Sequence, residues 1–240
     1  MDSRKKLKLS ILMPAYNEGS TIAKIVELID GVELEKWNIT KELIIVDDGS
    51  TDHTSEIVDG LKKKYGYIKF VKHDKNSGKG AAVRTAIQNA TGDIMIVQDA
   101  DLEYDPQDYI KCITPILEGR AKVVYGSRRL DKNNPKWSSF SYYVGGMGIN
   151  LIFNILFSTN LTDEPTCYKT FSSETIKNME IVGNKFDWEP EVTAKLVKKG
   201  IRIHEVPIKY FPRSEKDGKK IKWKDGVDAV WTMLRYRFTG

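Results

Sequence analysis

The stretch Ile94-Met95-Ile96-Val97-Gln98-Asp99-Ala100-Asp101 decides how this chain reads. Its first four residues form a continuous apolar run of strand length, the pattern of a strand buried on both faces. Asp99 and Asp101 follow at the C-terminal end of that run, where open α/β sheets place their ligands. Mg²⁺ and Mn²⁺ are hard cations that take oxygen ligands, and Mg²⁺ is usually held by one or two carboxylates together with substrate phosphates. The pair therefore suits a divalent cation gripping a diphosphate. The same stretch also fits a plain polar turn before the next helix, with Asp105 as N-cap and Pro106 at the first helical position. The D-x-D pattern alone does not choose between the two.

Strand and helix signals alternate around this stretch. Leu9–Met13 reads as a first strand, followed by a helix with Ser20 as its cap and Ile22, Ile25, Val26 and Ile29 on its apolar face. Leu43–Val46 is a second strand and Thr51–Lys64 a second helix. Ile68–Val71 is a third strand and Gly80–Ala90 a third helix, with Pro106–Leu117 and Lys122–Tyr125 as the next helix and strand. Such alternation with continuous apolar strands predicts an α/β fold, a mostly parallel sheet flanked by helices. The pattern changes after about Gly126. Arg128–Ser141 is polar, and Trp137–Thr162 holds no charged residue. Ser, Gly, Asn and Thr interrupt that stretch too often for a clean membrane span.

Its middle, about 144–158, predicts an amphipathic helix. Asn150, Asn154 and Ser158 recur every four residues, and Ile149, Ile152, Phe153, Leu156 and Phe157 fill the other faces. Such a helix could lie in a membrane interface, pack on the core or meet a second subunit. A helix over Glu189–Lys199, a strand over Ile201–Tyr210 and a helix from about Asp225 to Arg237 complete a single domain over 1–240.

The chain has 240 residues, 40% hydrophobic and 30% charged, enough to bury one large α/β core. Two cysteines, Cys112 and Cys167, exclude a disulfide framework and point to a reduced, cytosolic setting. Met1–Lys8 is basic, but no apolar segment of signal form follows it. His53, His73 and His204 are scattered and are assigned no chemistry. Net charge is +5, and Lys209–Lys224 concentrates it, with seven basic residues against Glu215 and Asp217. That segment reads either as a solvated loop or as a patch for phosphate, membrane headgroups or nucleic acid. Only Trp223 interleaves with its lysines, which disfavours nucleic acid.

Each strand end leads into an unusual loop: Pro14-Ala15-Tyr16-Asn17-Glu18, Asp47-Asp48-Gly49-Ser50-Thr51-Asp52, Asn76-Ser77-Gly78-Lys79-Gly80 and Asp99-Ala100-Asp101-Leu102-Glu103. In a parallel sheet these loops share one edge and can converge on one ligand. Tyr16 can stack on a base, and Asp47 or Asp48 can accept hydrogen bonds from base or ribose. Gly78 and Gly80 would let backbone N–H groups approach a phosphate at a helix N-terminus, with Lys79 adding charge.

These four motifs resemble those of family 2 glycosyltransferases of the GT-A, Rossmann-like fold, in particular the polyprenyl-phosphate hexosyltransferases typified by dolichol-phosphate mannose synthase. Gly126-Ser127-Arg128, Leu161-Thr162-Asp163, Cys167-Tyr168-Lys169-Thr170-Phe171, Trp188-Glu189-Pro190-Glu191, Glu205-Val206-Pro207-Ile208 and Arg213 add to the resemblance, which covers roughly residues 8–238. It implies a nucleotide-sugar-binding half over about 8–127 and an acceptor-binding, membrane-interface half over about 128–240. Pro14, Tyr16, Glu18, Asp47 and Asp48 would form the nucleotide pocket, with Asn76 and Lys79 beside it. Asp99 and Asp101, helped by the Ala100 backbone, would bind Mg²⁺ or Mn²⁺ against the donor diphosphate. Glu103, where relatives often carry Gln, would be a third ligand. Arg128 and Arg213 would hold the acceptor phosphate and the donor diphosphate, and Lys136 stands near the place of a further arginine of relatives.

The implied reaction is inverting transfer of a hexose from GDP-mannose, UDP-glucose or, behind them, UDP-N-acetylglucosamine to a polyprenyl phosphate. A phosphate nucleophile is already anionic, so alignment and stabilisation of the leaving diphosphate are the main tasks. If a carboxylate assists, Asp163 is the candidate; a structural role as a cap is the alternative. A lipid acceptor places the enzyme peripherally on the cytoplasmic face of a membrane, held by the 144–158 helix and the basic loop. A second copy or a membrane-anchoring subunit is a further expected partner. Many relatives carry C-terminal membrane spans that this sequence lacks, which fits either a compact peripheral form or a shortened chain. The competing readings are a family 2 transferase with a soluble polysaccharide or protein acceptor, a nucleotidyltransferase, and a non-enzymatic nucleotide sensor. A nucleotidyltransferase is disfavoured because no Gly-rich lysine loop follows the first strand.

Overall fold

A computed structural model describes residues 6–134, 140–213 and 223–239, with side chains described over 6–134, 143–213 and 224–239. Lys136, most of the basic run (Glu215, Lys216, Asp217, Lys219, Lys220 and Lys222) and the Trp223 side chain lie outside the described residues.

The core is built on β1 (Leu7–Ala15), whose Leu9, Ile11, Leu12 and Met13 are completely buried. It pairs in parallel with β2 (Ile39–Asp47) on one side and β4 (Ile94–Val97) on the other, and β2 pairs in parallel with β3 (Ile68–Lys72). All four residues of β4 are buried, as the apolar run predicts. Beyond β4 lie β6 (Lys169–Ser172), β5 (Val123–Ser127) and β7 (Ile203–Pro207), giving the order β3-β2-β1-β4-β6-β5-β7. β6 runs antiparallel to both β4 and β5, so β5 and β7 again point the same way as β1. The loops after β1, β2, β3, β4, β5 and β7 therefore share one edge of the sheet.

Helices cover the sheet: α1 (Ile22–Asp30), α2 (Thr54–Lys64), α3 (Lys79–Asn89), α4 (Tyr109–Leu117), α5 (Phe140–Phe157), α6 (Ser173–Lys177), α7 (Trp188–Lys198) and α8 (Trp223–Phe238). The α1 cap position belongs to Thr21, not the expected Ser20, and the Thr21 hydroxyl donates to Glu18 Oε2 instead of capping the helix. Asp105 does cap a short 3-10 turn over Pro106–Asp108 by accepting the Gln107 N–H, so the turn expected there coexists with the aspartate pair. β7 is shorter than the expected Ile201–Tyr210, because the chain leaves β5 at Ile208 and bridges through Tyr210 to Tyr104.

A second, smaller core holds Phe153, Phe157, Leu161, Ala194 and Met233 between α5, α7 and α8. Here the amphipathic expectation is corrected. Asn150 and Asn154 point into the protein, and the outward stripe of α5 is apolar: Val144, Met147, Leu151 and Ile155 are 43–70% exposed. On α8, Val227, Trp231 and Phe238 are exposed as well. Among the described residues no helix is long and apolar enough to cross a membrane.

One buried polar knot fastens the opposite edge of the sheet. Glu42 on β2 accepts from the Ser10 hydroxyl (2.6 Å) and the Thr91 N–H (2.6 Å), and pairs with Lys69 (2.8 Å). Burial opposes its charge, but these donors outweigh burial and hold its carboxyl at about 2 instead of 4.5. A carboxylate depressed in the folded state stabilises it fully above the unfolded pKa and loses that contribution as pH falls toward the folded one. Glu42→Gln is therefore expected to lower stability at pH 7. The gap from the unsubstituted protein should narrow as pH falls from 4.5 toward 2, read by urea unfolding across pH.

Candidate active site

A cavity of about 490 Å³ opens at the shared loop edge, lined by Pro14, Tyr16, Glu18, Asp48, Asn76, Lys79, Asp99, Asp101, Glu103 and Arg213. Ten site residues expected from sequence thus meet in one place. Asp47, Ala100, Arg128 and Asp163 do not line it. Lys185, Phe186 and Asp225 do, and nothing in the sequence marked them.

Asp99 and Asp101 leave β4 one residue apart, with Ala100 buried between them. The chain is bent there by Leu102, whose φ of 65° lies in the left-handed region and lets the Glu103 N–H donate to Asp101 Oδ1 (3.1 Å). Behind them Gln98 is fully buried. Its Oε1 accepts from the hydroxyls of Tyr109 (2.7 Å) and Tyr168 (2.6 Å), and its Nε2 donates to the Asp99 carbonyl (2.8 Å). This fixes the peptide that carries Asp99. Gln98 escaped the sequence reading because a single amide beside an apolar run carries no motif.

Each aspartate is met by a cation. Lys79 Nζ lies 2.9 Å from Asp99 and 3.0 Å from Glu189 at the start of α7. Arg213 lies 3.0 Å from Asp101 through Nη2 and 3.5 Å from Glu18 through Nη1. Burial works against the Lys79 charge, but Asp99 and Glu189 outweigh it and raise its pKa well above 10.5. Asp101 is pushed up to about 7 by burial and by the charges of Asp99 and Glu103, with Arg213 opposing. The site thus carries more buried negative charge than its own cations neutralise fully.

The donor set fits a divalent cation: two oxygen-bearing carboxylates in one cavity, each already drawn to positive charge, with room for phosphate ligands. Glu103, expected as a third ligand, lines the same cavity and is engaged with the 210–213 segment. Its Oε1 accepts the Arg213 N–H (2.8 Å) and its Oε2 faces the Tyr210 hydroxyl (3.4 Å), so it ties the 210–213 segment to the β4 loop. Among the described residues no three His, Cys, Asp or Glu side chains cluster as a metal site.

The α3 N-terminus differs from the expected phosphate cradle. The Gly78 N–H donates to Asp48 Oδ2 (2.7 Å), Gly80 N–H to the Lys185 carbonyl (3.1 Å) and Ala81 N–H to the Asn184 carbonyl (3.0 Å). These amides are spent on protein acceptors. The glycines serve close packing: Gly78 has φ 100°, and a Cβ on Gly80 would stand 2.8 Å from Trp188 Cβ. Asp48 accepts also from Ser77 N–H (3.0 Å) and faces His73 Nδ1 (2.7 Å), so it joins two loops at the cavity wall. Asp47 is fully buried; it accepts the Ser50 N–H (2.8 Å) and the Ser55 hydroxyl, and so shapes its own loop without reaching the cavity.

Arg128 and Asp163 form a separate buried pair after β5. Asp163 is inaccessible to solvent and accepts from the Arg128 N–H (2.9 Å), Nε (2.7 Å) and Nη2 (2.7 Å). Burial would raise its pKa, but Arg128 outweighs burial and lowers it. Asp163, the carboxylate expected to assist the reaction, is thus engaged on both oxygens by Arg128 and lies outside the cavity lining. The Arg128 guanidinium lies over the Tyr210 ring, 5.2 Å from its centroid, and Tyr210 in turn reaches Glu103.

The profile of Glycosyl transferase family 2 matches residues 10–178. An uncharacterized protein of Methanocaldococcus jannaschii is 32% identical over 209 residues, covering 85% of this chain and 82% of its own length. A UDP-N-acetylglucosamine–dolichyl-phosphate N-acetylglucosaminyltransferase of Methanococcus voltae is 29% identical, over 83% of this chain and 84% of that protein. A dolichyl-phosphate beta-glucosyltransferase of Trichomonas vaginalis is 25% identical, over 97% and 73%. Among solved structures, glucosyl-3-phosphoglycerate synthase from Mycobacterium tuberculosis, in complex with Mn²⁺, UDP and phosphoglyceric acid, superposes with a TM-score of 0.73 at 18% identity. That match covers 98% of this chain and 80% of the other. The likeness shows a shared fold, the GT-A type expected from the sequence.

Lys79→Met keeps an unbranched, flexible side chain one atom shorter and removes its charge. It is expected to lower the melting temperature, because Glu189 and Asp99 lose their partner, and to tighten Mn²⁺ binding to the nucleotide-free protein in calorimetry.

Proposed function

The chain belongs to the family 2 glycosyltransferases, and on that premise we propose that it moves a hexose from a nucleotide-sugar to a polyprenyl (dolichyl) phosphate at a membrane surface. The observation that carries the reading is the convergence of Asp99, Asp101 and Arg213 in one cavity with Pro14, Tyr16 and Asp48. GDP-mannose and UDP-glucose are the leading donors. The acceptor class is supported by the two relatives named for dolichyl phosphate, whose alignments span most of this chain.

The chemistry asks little of a base. An acceptor phosphate oxygen attacks the anomeric carbon, the bond from that carbon to the donor diphosphate breaks, and the electron pair leaves with the nucleoside diphosphate. Attack from the opposite face inverts the anomeric centre. Mg²⁺ or Mn²⁺ on Asp99 and Asp101 would supply Lewis-acid stabilisation of the leaving diphosphate. Arg213 pairs with Asp101 and would exchange that carboxylate for diphosphate oxygens through charge-assisted hydrogen bonds. Glu103 holds the Arg213 backbone in place for that exchange. Tyr16, half-buried at the cavity wall, would stack on the base. Arg128 would direct the acceptor phosphate, with Asp163 fixing its orientation.

The apolar stripes of α5 and α8 support membrane contact. Leu151, Ile155, Val227, Trp231 and Phe238 face outward on two helices that pack together. A soluble protein gains nothing by exposing so many large apolar side chains on adjacent helices, whereas an interfacial helix gains from burying them in acyl chains. A second copy or an anchoring subunit on this face would instead show as a larger species in gel filtration.

Purified protein with Mn²⁺, a nucleotide-sugar and dolichyl phosphate is expected to form the dolichyl-phosphate hexose; transfer only to a water-soluble acceptor would overturn the reading. Asp101→Ala should abolish metal-dependent turnover while the melting curve stays cooperative, and wild-type rates would remove the metal assignment. In flotation with anionic vesicles, binding should weaken as salt rises and fall sharply in a Leu151→Glu, Ile155→Glu double variant.

A further inference from the structure

α5 is polar where a surface helix is usually apolar. Asn150 is buried and satisfied at both ends of its amide: Nδ2 donates to the Leu161 carbonyl (2.7 Å) and Oδ1 accepts the Glu164 N–H (2.8 Å). One turn on, Asn154 Nδ2 donates to the same Leu161 carbonyl (2.8 Å) and its Oδ1 accepts the Leu161 N–H (3.0 Å). Two side chains of one helix thus hold the backbone on both sides of Thr162 and Asp163.

The segment they hold is the one that carries the arginine partner. Asp163 takes three hydrogen bonds from Arg128. The rest of the segment is fastened from the sheet: Glu205 on β7 accepts the N–H groups of Thr162 (2.8 Å) and Asp163 (3.0 Å), and the Thr162 hydroxyl meets Ser127 Oγ at 2.6 Å. Packing alone would seat α5, since Phe153 and Phe157 fill the second core with Met233. The asparagines add something packing does not: a directional link from α5 to the peptide groups around Asp163, with geometry that apolar contacts would leave loose.

We propose that Asn150 and Asn154 are positioning residues for Arg128, setting through Leu161, Glu164 and Asp163 where its guanidinium stands relative to the helix that carries the outward apolar stripe. The proposal rests on the reading of the acceptor as a lipid phosphate. A phosphate on a chain buried beneath α5 emerges at a height fixed by that helix, and Arg128 must meet it there. Linking both to one helix keeps that distance constant, and a guanidinium held out of line with the phosphate oxygens binds them more weakly.

The test compares Asn150→Ala and Asn154→Ala with and without Arg128→Ala, assayed with dolichyl phosphate in detergent. Each asparagine variant is expected to raise the KM for dolichyl phosphate about tenfold, the scale of one weakened hydrogen bond to a charged group. The KM for nucleotide-sugar and the Mn²⁺-dependent thermal shift with nucleoside diphosphate should stay unchanged. On the Arg128→Ala background the asparagine substitutions should have no further effect, because the group they position is gone. Full multiplication of the two effects, or a fall in kcat with the acceptor KM unchanged, would overturn the proposal. Asn154 is the less buried of the two, so its variant carries the test if Asn150→Ala melts below the assay temperature. An unsubstituted enzyme inactive on dolichyl phosphate would instead sink the acceptor reading, and this proposal with it.

Discussion

Asp99 and Asp101 leave a fully buried strand side by side, and the rest of the site follows from the need to keep both charged there. Two carboxylates in a low-dielectric cleft repel one another, and burial penalises each further. Lys79 and Arg213 answer that repulsion, and each brings a second carboxylate, Glu189 or Glu18, to complete its own shell. Burial and the charges of Asp99 and Glu103 still outweigh Arg213 and raise the Asp101 pKa to about 7. The proposed divalent cation would lie against both carboxylates and favour their charged forms, its own charge being met in turn by the donor diphosphate.

Much of this edge was legible because it depends on local rules. Apolar runs ending in Asp, Gly and Ser mark strand ends facing a ligand, and a parallel sheet must bring those ends together. What stayed hidden depends on contacts far apart in sequence. β6 is four residues long, and its Lys169 and Thr170 are buried, so it shows neither alternation nor an apolar run. The pairing of Lys79 with Glu189, 110 positions away, has no signal in the sequence. Gly78 and Gly80 read as a phosphate cradle, yet the 183–185 segment occupies the space, and Asp48 and the Lys185 carbonyl take the two amides. Asn150 and Asn154 read as the polar face of a surface helix. Periodicity finds the stripe but not its direction, and here it points inward.

The cavity is lined from both parts of the chain, by residues of the loops after β1 to β4 and by Lys185, Phe186, Arg213 and Asp225 from beyond β5. Beyond β5 the chain builds a second core under α5, α7 and α8, and the pair of Arg128 and Asp163 sits at the junction. Tyr210 lies under the Arg128 guanidinium and reaches Glu103, which holds the Arg213 backbone. Arg128 and Arg213 are thus joined through one tyrosine and one glutamate. This arrangement supports the proposed transfer, in which an acceptor phosphate and a donor diphosphate must be aligned on one anomeric carbon.

The most direct test of the account is a crystal structure grown with Mn²⁺ and a nucleoside diphosphate. The account predicts a cation between the Asp99 and Asp101 carboxylates, the diphosphate bound to it, and Arg213 turned from Asp101 toward the phosphate oxygens. A nucleotide bound away from the end of β4, or a cation-free diphosphate with Arg213 still on Asp101, would contradict it.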